Sequence, residues 1–393
     1  MADATMATYK RLDAAFARGQ GAYLWDESGR RYLDALAGLA VCGLGHAHPK
    51  VAEAICEQAR TLLHTSNIYR IPLQESLAQR LTALSGMERA FLCNSGAEAN
   101  EAAFKIARKY AHARGIAGPQ IIVAEGSFHG RTLATLSATG NANIREGFEP
   151  LPSGFIRVPY DDVERVAQVR RAEPGVIAVM VEPVQGEGGI RVPAPDYLAK
   201  LRRLCDEQGM LLMLDEIQTG LCRSGRWFAH QHAGVLPDVM TVAKSLGNGV
   251  PIGVCLARQA CAEVFTPGSH GSTFGGNPLA CRAALAVLEV LTANDMAERA
   301  RTLGERMLRE FEALRALPGV RDVRGLGLLL GIELERPCGV LVERALNRGL
   351  LINVTAERVI RLLPPLIITD EQAREITQGV SELVREFLAE RAA

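Results

Sequence analysis

Residues 210–253 read MLLMLDEIQTGLCRSGRWFAHQHAGVLPDVMTVAKSLGNGVPIG. Two short apolar runs, 210–214 and 239–243, are each flanked by turn-forming residues, as buried parallel strands are. One run leads to Asp215 and the other to Lys244. In an open α/β sheet the functional crevice lies at the carboxyl ends of the strands. An acid and an amine ending two such strands, 29 positions apart (244 − 215), are therefore expected to meet at one site.

A lysine opposite a buried carboxylate suits pyridoxal phosphate (PLP) chemistry, in which the amine holds the cofactor as a Schiff base and the acid partners the pyridine nitrogen. The strings Asp215-Glu216-Ile217-Gln218-Thr219-Gly220 and Ala243-Lys244-Ser245-Leu246-Gly247-Asn248-Gly249-Val250-Pro251-Ile252-Gly253 resemble the paired motifs of the class III (ω-amino acid) aminotransferases. That resemblance implies an α/β fold of PLP-dependent transferase type I, with a large domain built on a mainly parallel sheet and a smaller α+β domain. It places the large domain at 46–300 and builds the small one from 1–45 and 301–393.

Composition narrows the field. With 44 basic and 44 acidic side chains the formal net charge is zero, so neither nucleic acid nor an anionic membrane is expected as main partner. Nine scattered cysteines, without a C-x-x-C pair, point to a reducing compartment rather than a disulfide framework or zinc site. The start, MADATMATYKRLDAAFARG, has no apolar core of the signal-peptide kind, and no run approaches 18 apolar residues. A cytoplasmic protein is expected.

Residues 1–45 read as a helical arm followed by a hairpin, 22–25 and 31–35 around Asp26-Glu27-Ser28-Gly29. His46 and His48 lack a third ligand of comparable spacing, so a structural role is expected for them and no metal. The strand at 89–93 runs into Asn94-Ser95-Gly96-Ala97-Glu98-Ala99-Asn100 and an alanine-rich helix. A small-residue turn at a helix start presents free N–H groups to an anion, although the same residues make an ordinary N-cap. By resemblance, Ser95, Gly96 and Ala97 hold the cofactor phosphate. The strand at 121–124 leads to Phe128-His129-Gly130-Arg131. An aromatic there can stack on a flat ring, and an arginine can grip a carboxylate with two parallel hydrogen bonds.

The run 176–181 ends in Glu182-Pro183-Val184-Gln185-Gly186-Glu187-Gly188-Gly189. Neither these glycines nor those of 325–331 have the G-x-G-x-x-G spacing of a dinucleotide loop, which weighs against a dehydrogenase. By resemblance Gln218 lies near the cofactor's phenolic oxygen, Phe128 covers its ring, and Arg131 binds a substrate carboxylate. The same resemblance implies that Glu187 can pair with Arg361 of the Arg361-Leu362-Leu363-Pro364-Pro365 segment, and that Thr273 of the 270–278 loop reaches the neighbouring active site of a homodimer. The acetylornithine branch is the nearest in motif context, implying transfer of a terminal amino group to 2-oxoglutarate in arginine biosynthesis. Succinylornithine, ornithine, 4-aminobutyrate and β-alanine enzymes share these residues, as do class III racemases and decarboxylases, and a non-catalytic binding protein is the remaining alternative.

Overall fold

The computed structural model describes residues 4–390. Its centre is a seven-stranded sheet in the order Arg89–Cys93, Gly253–Ala257, Val239–Val242, Leu211–Asp215, Val176–Val181, Gln120–Ala124, Phe155–Val158. Pairings among the last five are parallel, whereas Gly253–Ala257 runs antiparallel to both its neighbours. The reason is the connection: only residues 243–252 separate it from Val242, too short for the crossover helix that a parallel return needs.

Both faces of this sheet are covered. Ile121 and Val123 join Ala103, Ile106 and Met213 in one apolar cluster, while Ile122 and Ala124 join Val166, Leu201 and Leu214 in another. Alternate residues of one strand thus feed opposite layers, which is why the central strands read as unbroken apolar runs.

Two further sheets have four strands each. One is antiparallel: Val320–Leu326, Leu329–Leu334, Val359–Leu362 and Asn353–Thr355. The other joins Phe16–Gln20, Tyr23–Asp26 and Arg31–Asp34 to Leu350–Leu351, the last pair being parallel. Chain start and chain end therefore meet in a single sheet. Asp26 closes the expected hairpin by accepting from the backbone N–H groups of Ser28 and Arg30.

The helical arm expected within residues 1–45 is absent from the described part, where 4–15 carry no helix and Phe16–Gln20 is a strand; residues 1–3 lie outside the described residues. Met6, Tyr9 and Leu12 do recur at helical spacing, but they are 85%, 77% and 46% exposed. A short amphipathic stripe with no surface to bury against does not offset the cost of helix nucleation. Among the described residues no helix is long and apolar enough to cross a membrane, and no group of three His, Cys, Asp or Glu is placed to hold a metal. All nine cysteines are free.

Candidate active site

Five strand ends open on one cleft. Of the eleven residues singled out from sequence, nine line one cavity of about 460 Å³ at those carboxyl ends. Arg361 stands behind Glu187, and Thr273 lines a separate cavity of about 390 Å³ with Asn94, Glu98 and Ser272. The Thr273 loop is held by Asn67, whose amide donates to the carbonyls of Ser272 and Gly275.

Asp215, the last residue of its strand, is 3% exposed. Its Oδ2 accepts from Asn100 Nδ2 at 2.9 Å and is 2.8 Å from His129 Nδ1, while Oδ1 accepts from the Ile217 N–H at 3.1 Å. Asn100 is fixed in turn by Thr241 Oγ1, which donates to its Oδ1 at 2.7 Å. Burial depresses the basicity of His129, but its bond to Asp215 outweighs that and raises its pKa. Three donors from three elements thus aim one carboxylate into the cleft. His129, Asn100 and Thr241 carried no assigned role in the sequence reading; the available signal was a polar Asn100 four residues into an alanine-rich buried helix face.

Lys244 lies just past its strand, which ends at Val242, in a short 3-10 turn with φ +47°. A left-handed backbone at a non-glycine residue costs on the order of 1–3 kcal/mol and persists only where the surroundings enforce it. Here they do. Ser245 Oγ donates to the Ala40 carbonyl at 2.7 Å, and the Asn248 side chain bonds both the Gly45 carbonyl and the Leu44 N–H. Burial, followed by the charge of Arg361, lowers the pKa of the Lys244 amine against the pull of Asp215, Glu187 and Glu182. The free amine, the nucleophilic form, is thereby favoured.

Ser95 caps the helix Gly96–His112 by accepting from the Glu98 N–H at 3.2 Å. The N–H groups of Gly96 and Ala97 precede any intrahelical acceptor and sit at the positive end of the helix dipole, as an anion site requires. Small residues permit this approach: a Cβ on Gly96 would lie 2.7 Å from Ile217 Cδ1, and one on Gly253 only 2.2 Å from the Ser95 carbonyl oxygen. Gln218 is 8% exposed, and its Oε1 has no hydrogen-bond partner among the described residues. An orphaned acceptor, two free N–H groups and an aimed carboxylate on one cavity fit a phosphorylated, nitrogen-containing ring.

The walls carry two arginines in different states. Arg131 is exposed and makes no ion pair among the described residues; its guanidinium carbon lies 5.7 Å from the centroid of Phe128. Arg361 is 1% exposed, bonds Asn353 Oδ1 through Nε and Nη2, and pairs with Glu187 at 2.8 Å. Glu187 is itself 39% exposed. Between the walls, Glu182 accepts from the N–H groups of Phe128 and Gly186, a role the sequence reading did not assign.

Comparison with known proteins agrees with this geometry. The sequence profile of the class III aminotransferases matches residues 5–384. An acetylornithine aminotransferase of Nitrosomonas europaea is 56% identical over 387 residues, 98% of each chain. The ornithine aminotransferase of Toxoplasma gondii ME49 superposes with a TM-score of 0.94 at 37% identity, covering 99% of this chain and 93% of that one. A second structure of the Toxoplasma gondii enzyme, crystallised with oxidised glutathione and partly occupied by PLP at its active site, gives 0.92 at 38% identity over 98% and 92%. Kinship over nearly the whole length, together with the shared fold, leads to one conclusion: the chain belongs to the class III aminotransferases.

Proposed function

We propose that this protein uses PLP to move the terminal amino group of N-acetylornithine to 2-oxoglutarate, giving N-acetylglutamate semialdehyde and glutamate. The observation that carries the reading is a pair of arginines at one cavity: Arg131 lines it and makes no ion pair among the described residues, and Arg361 lies behind the wall residue Glu187, which masks it. A transaminase must accept a donor with one carboxylate and then an acceptor with two. Arg131 takes the α-carboxylate of the donor while Glu187 neutralises Arg361. When 2-oxoglutarate binds, Glu187 turns to solvent and Arg361 takes the second carboxylate.

PLP, when bound, supplies an electron sink for the pair left on the amine-bearing carbon when its proton departs. Ser95, Gly96 and Ala97 would hold the phosphate, Asp215 the ring nitrogen, Gln218 the phenolic oxygen, and Phe128 one ring face. Lys244 would tether the cofactor, yield its place to the substrate amine, and then carry the proton on Nζ. Thr273 lies outside the main cavity and would complete the site of a neighbouring subunit in a homodimer. Residues 46–300 would form the cofactor domain, with 1–45 and 301–393 as the smaller one. Nine scattered cysteines without a C-x-x-C pair support a cytoplasmic setting.

Ornithine is the second reading, favoured by the overlay on the Toxoplasma gondii enzyme. The two separate in a single-turnover absorbance titration of the holoenzyme with N-acetylornithine, ornithine, 4-aminobutyrate and β-alanine in turn. Rapid loss of the visible cofactor band with N-acetylornithine, and its return on adding 2-oxoglutarate, is expected. A response to ornithine alone would transfer the assignment. A response confined to 4-aminobutyrate or β-alanine would retire the role given to Arg131.

A further inference from the structure

Strand Val176–Val181 is buried along its whole length and runs into Glu182-Pro183. Glu182 is 6% exposed, and among the described residues no arginine or lysine pairs with it. Its carboxylate has two partners, both backbone: Oε1 accepts from the Phe128 N–H at 2.9 Å, and Oε2 from the Gly186 N–H at 3.0 Å. The donors belong to different loops. One carries Phe128 and, three residues on, Arg131; the other carries Gly186 and, one residue on, Glu187.

The choice of side chain is informative. Burying a carboxylate without a cation is costly, and here burial pushes the pKa of Glu182 up to about 7, with His129 opposing and Asp215 adding to the rise. Glutamine would fill the same volume without that cost. Its head, however, has one accepting end and one donating end, so it satisfies one backbone N–H and confronts the other. An ionised carboxylate is the side-chain head of this reach with an acceptor at both ends. On its far side Gly186 packs closely against the Gln218 side chain, since a Cβ there would lie 2.0 Å from Gln218 Oε1.

We propose that Glu182 is a positioning residue for substrate selection: by taking one N–H from each loop it fixes the spacing between Arg131 and the Glu187–Arg361 pair. It touches neither substrate carboxylate in this arrangement and acts through the two loops. The inference rests on the two-arginine reading above. Facing the carboxylate are the charges of His129, Asp215 and Lys244, with the phenol of Tyr160 bonded to the Glu182 carbonyl.

The test is Glu182→Gln, read in two ways. In the cofactor-free protein, hydrogen exchange by mass spectrometry is followed in peptides covering 126–131 and 184–189. At least one of the two should exchange about tenfold faster than in the wild type, the loss of one backbone hydrogen bond to a charged acceptor. In the holoenzyme, the ratio of the KM for 2-oxoglutarate to that for the amino donor should shift by about fivefold or more, because a loosened Glu187 competes less well for Arg361.

Wild-type exchange in both peptides would overturn the proposal, and so would equal changes in both KM values. Glu182→Asp withdraws the two acceptors by one methylene; the same faster exchange and ratio shift are expected, and it replaces Glu182→Gln should that variant not fold. The exchange measurement uses no substrate. A failure of N-acetylornithine as donor therefore leaves it standing, whereas unchanged exchange ends this proposal with the donor assignment intact.

Discussion

Replacing Arg361 by alanine separates the two substrates of the proposed reaction. In the wild type, 2-oxoglutarate must first release Glu187 from Arg361. Because Glu187 is 39% exposed, that pair is screened and its release costs about 1 kcal/mol. The substrate then gains up to two charge-assisted hydrogen bonds on a guanidinium that is 1% exposed, at roughly 1.5–3 kcal/mol each. The net is about 2–5 kcal/mol, so loss of Arg361 should raise the KM for 2-oxoglutarate on the order of 100-fold. The donor leaves the pair intact and should change by less than about threefold. Glu187, freed in the variant, can hydrate, whereas Asn353 Oδ1 loses both its Arg361 donors, so a stability loss of about 1–3 kcal/mol accompanies the kinetic change. Initial-rate kinetics with each substrate varied at saturation of the other provides the assay. Equal rises for donor and acceptor would refute the assignment of Arg361 to the second carboxylate.

Two further outcomes follow from geometry. Glu182 has its pKa raised from 4.5 to about 7 in the folded state, so the fold binds that proton more tightly than the unfolded chain does. Its contribution to stability is therefore greatest below about pH 4.5 and is lost as pH rises through about 7, an effect of roughly 3 kcal/mol. Denaturant titrations of the cofactor-free protein between pH 5 and 8 should show this slope, and Glu182→Gln should flatten it. His129, also raised, adds in the same sense, while the charges of Asp215 and Lys244 and the Tyr160 phenol complete the surroundings. An unaltered slope in the variant would exclude Glu182 as its source. Separately, Gly253→Ala sets a Cβ 2.2 Å from the Ser95 carbonyl oxygen, a clash with rigid backbone that must move the turn proposed to hold the phosphate. A stability loss of about 1–3 kcal/mol is expected, together with faster loss of PLP on dialysis; wild-type retention would show that Ser95 does not depend on this contact.

Residues that carry their own chemical label were legible in the sequence: Asp215 and Lys244 each follow an apolar run, and Ser95 precedes a helix. Their supports were not. His129 and Asp215 are 86 positions apart, Asn100 and Asp215 115, and Thr241 and Asn100 141, so only the assembled sheet brings them together. Glu182 sat in a quoted motif, yet its partners are backbone N–H groups, which leave no mark on residue type. The reversed strand Gly253–Ala257 was legible as a strand, but its direction depends on a connection length weighed against the whole sheet. The N-terminal stretch misled because helical spacing of apolar residues proposes a helix, while only tertiary burial sustains one.

The parallel pairing of Leu350 with Leu33 spans 317 positions (350 − 33) and has a consequence in time. Residues 40–45, which brace the lysine turn, begin six positions after the end of the strand that awaits this late partner. On the ribosome the sheet Gly253–Ala257 to Phe155–Val158 can form while that strand still lacks one of its two neighbours. Pairing over so long a loop is slow to close. The large sheet is therefore expected to form before the last neighbour of this strand arrives, and cofactor capture is expected mainly in a nearly complete polypeptide.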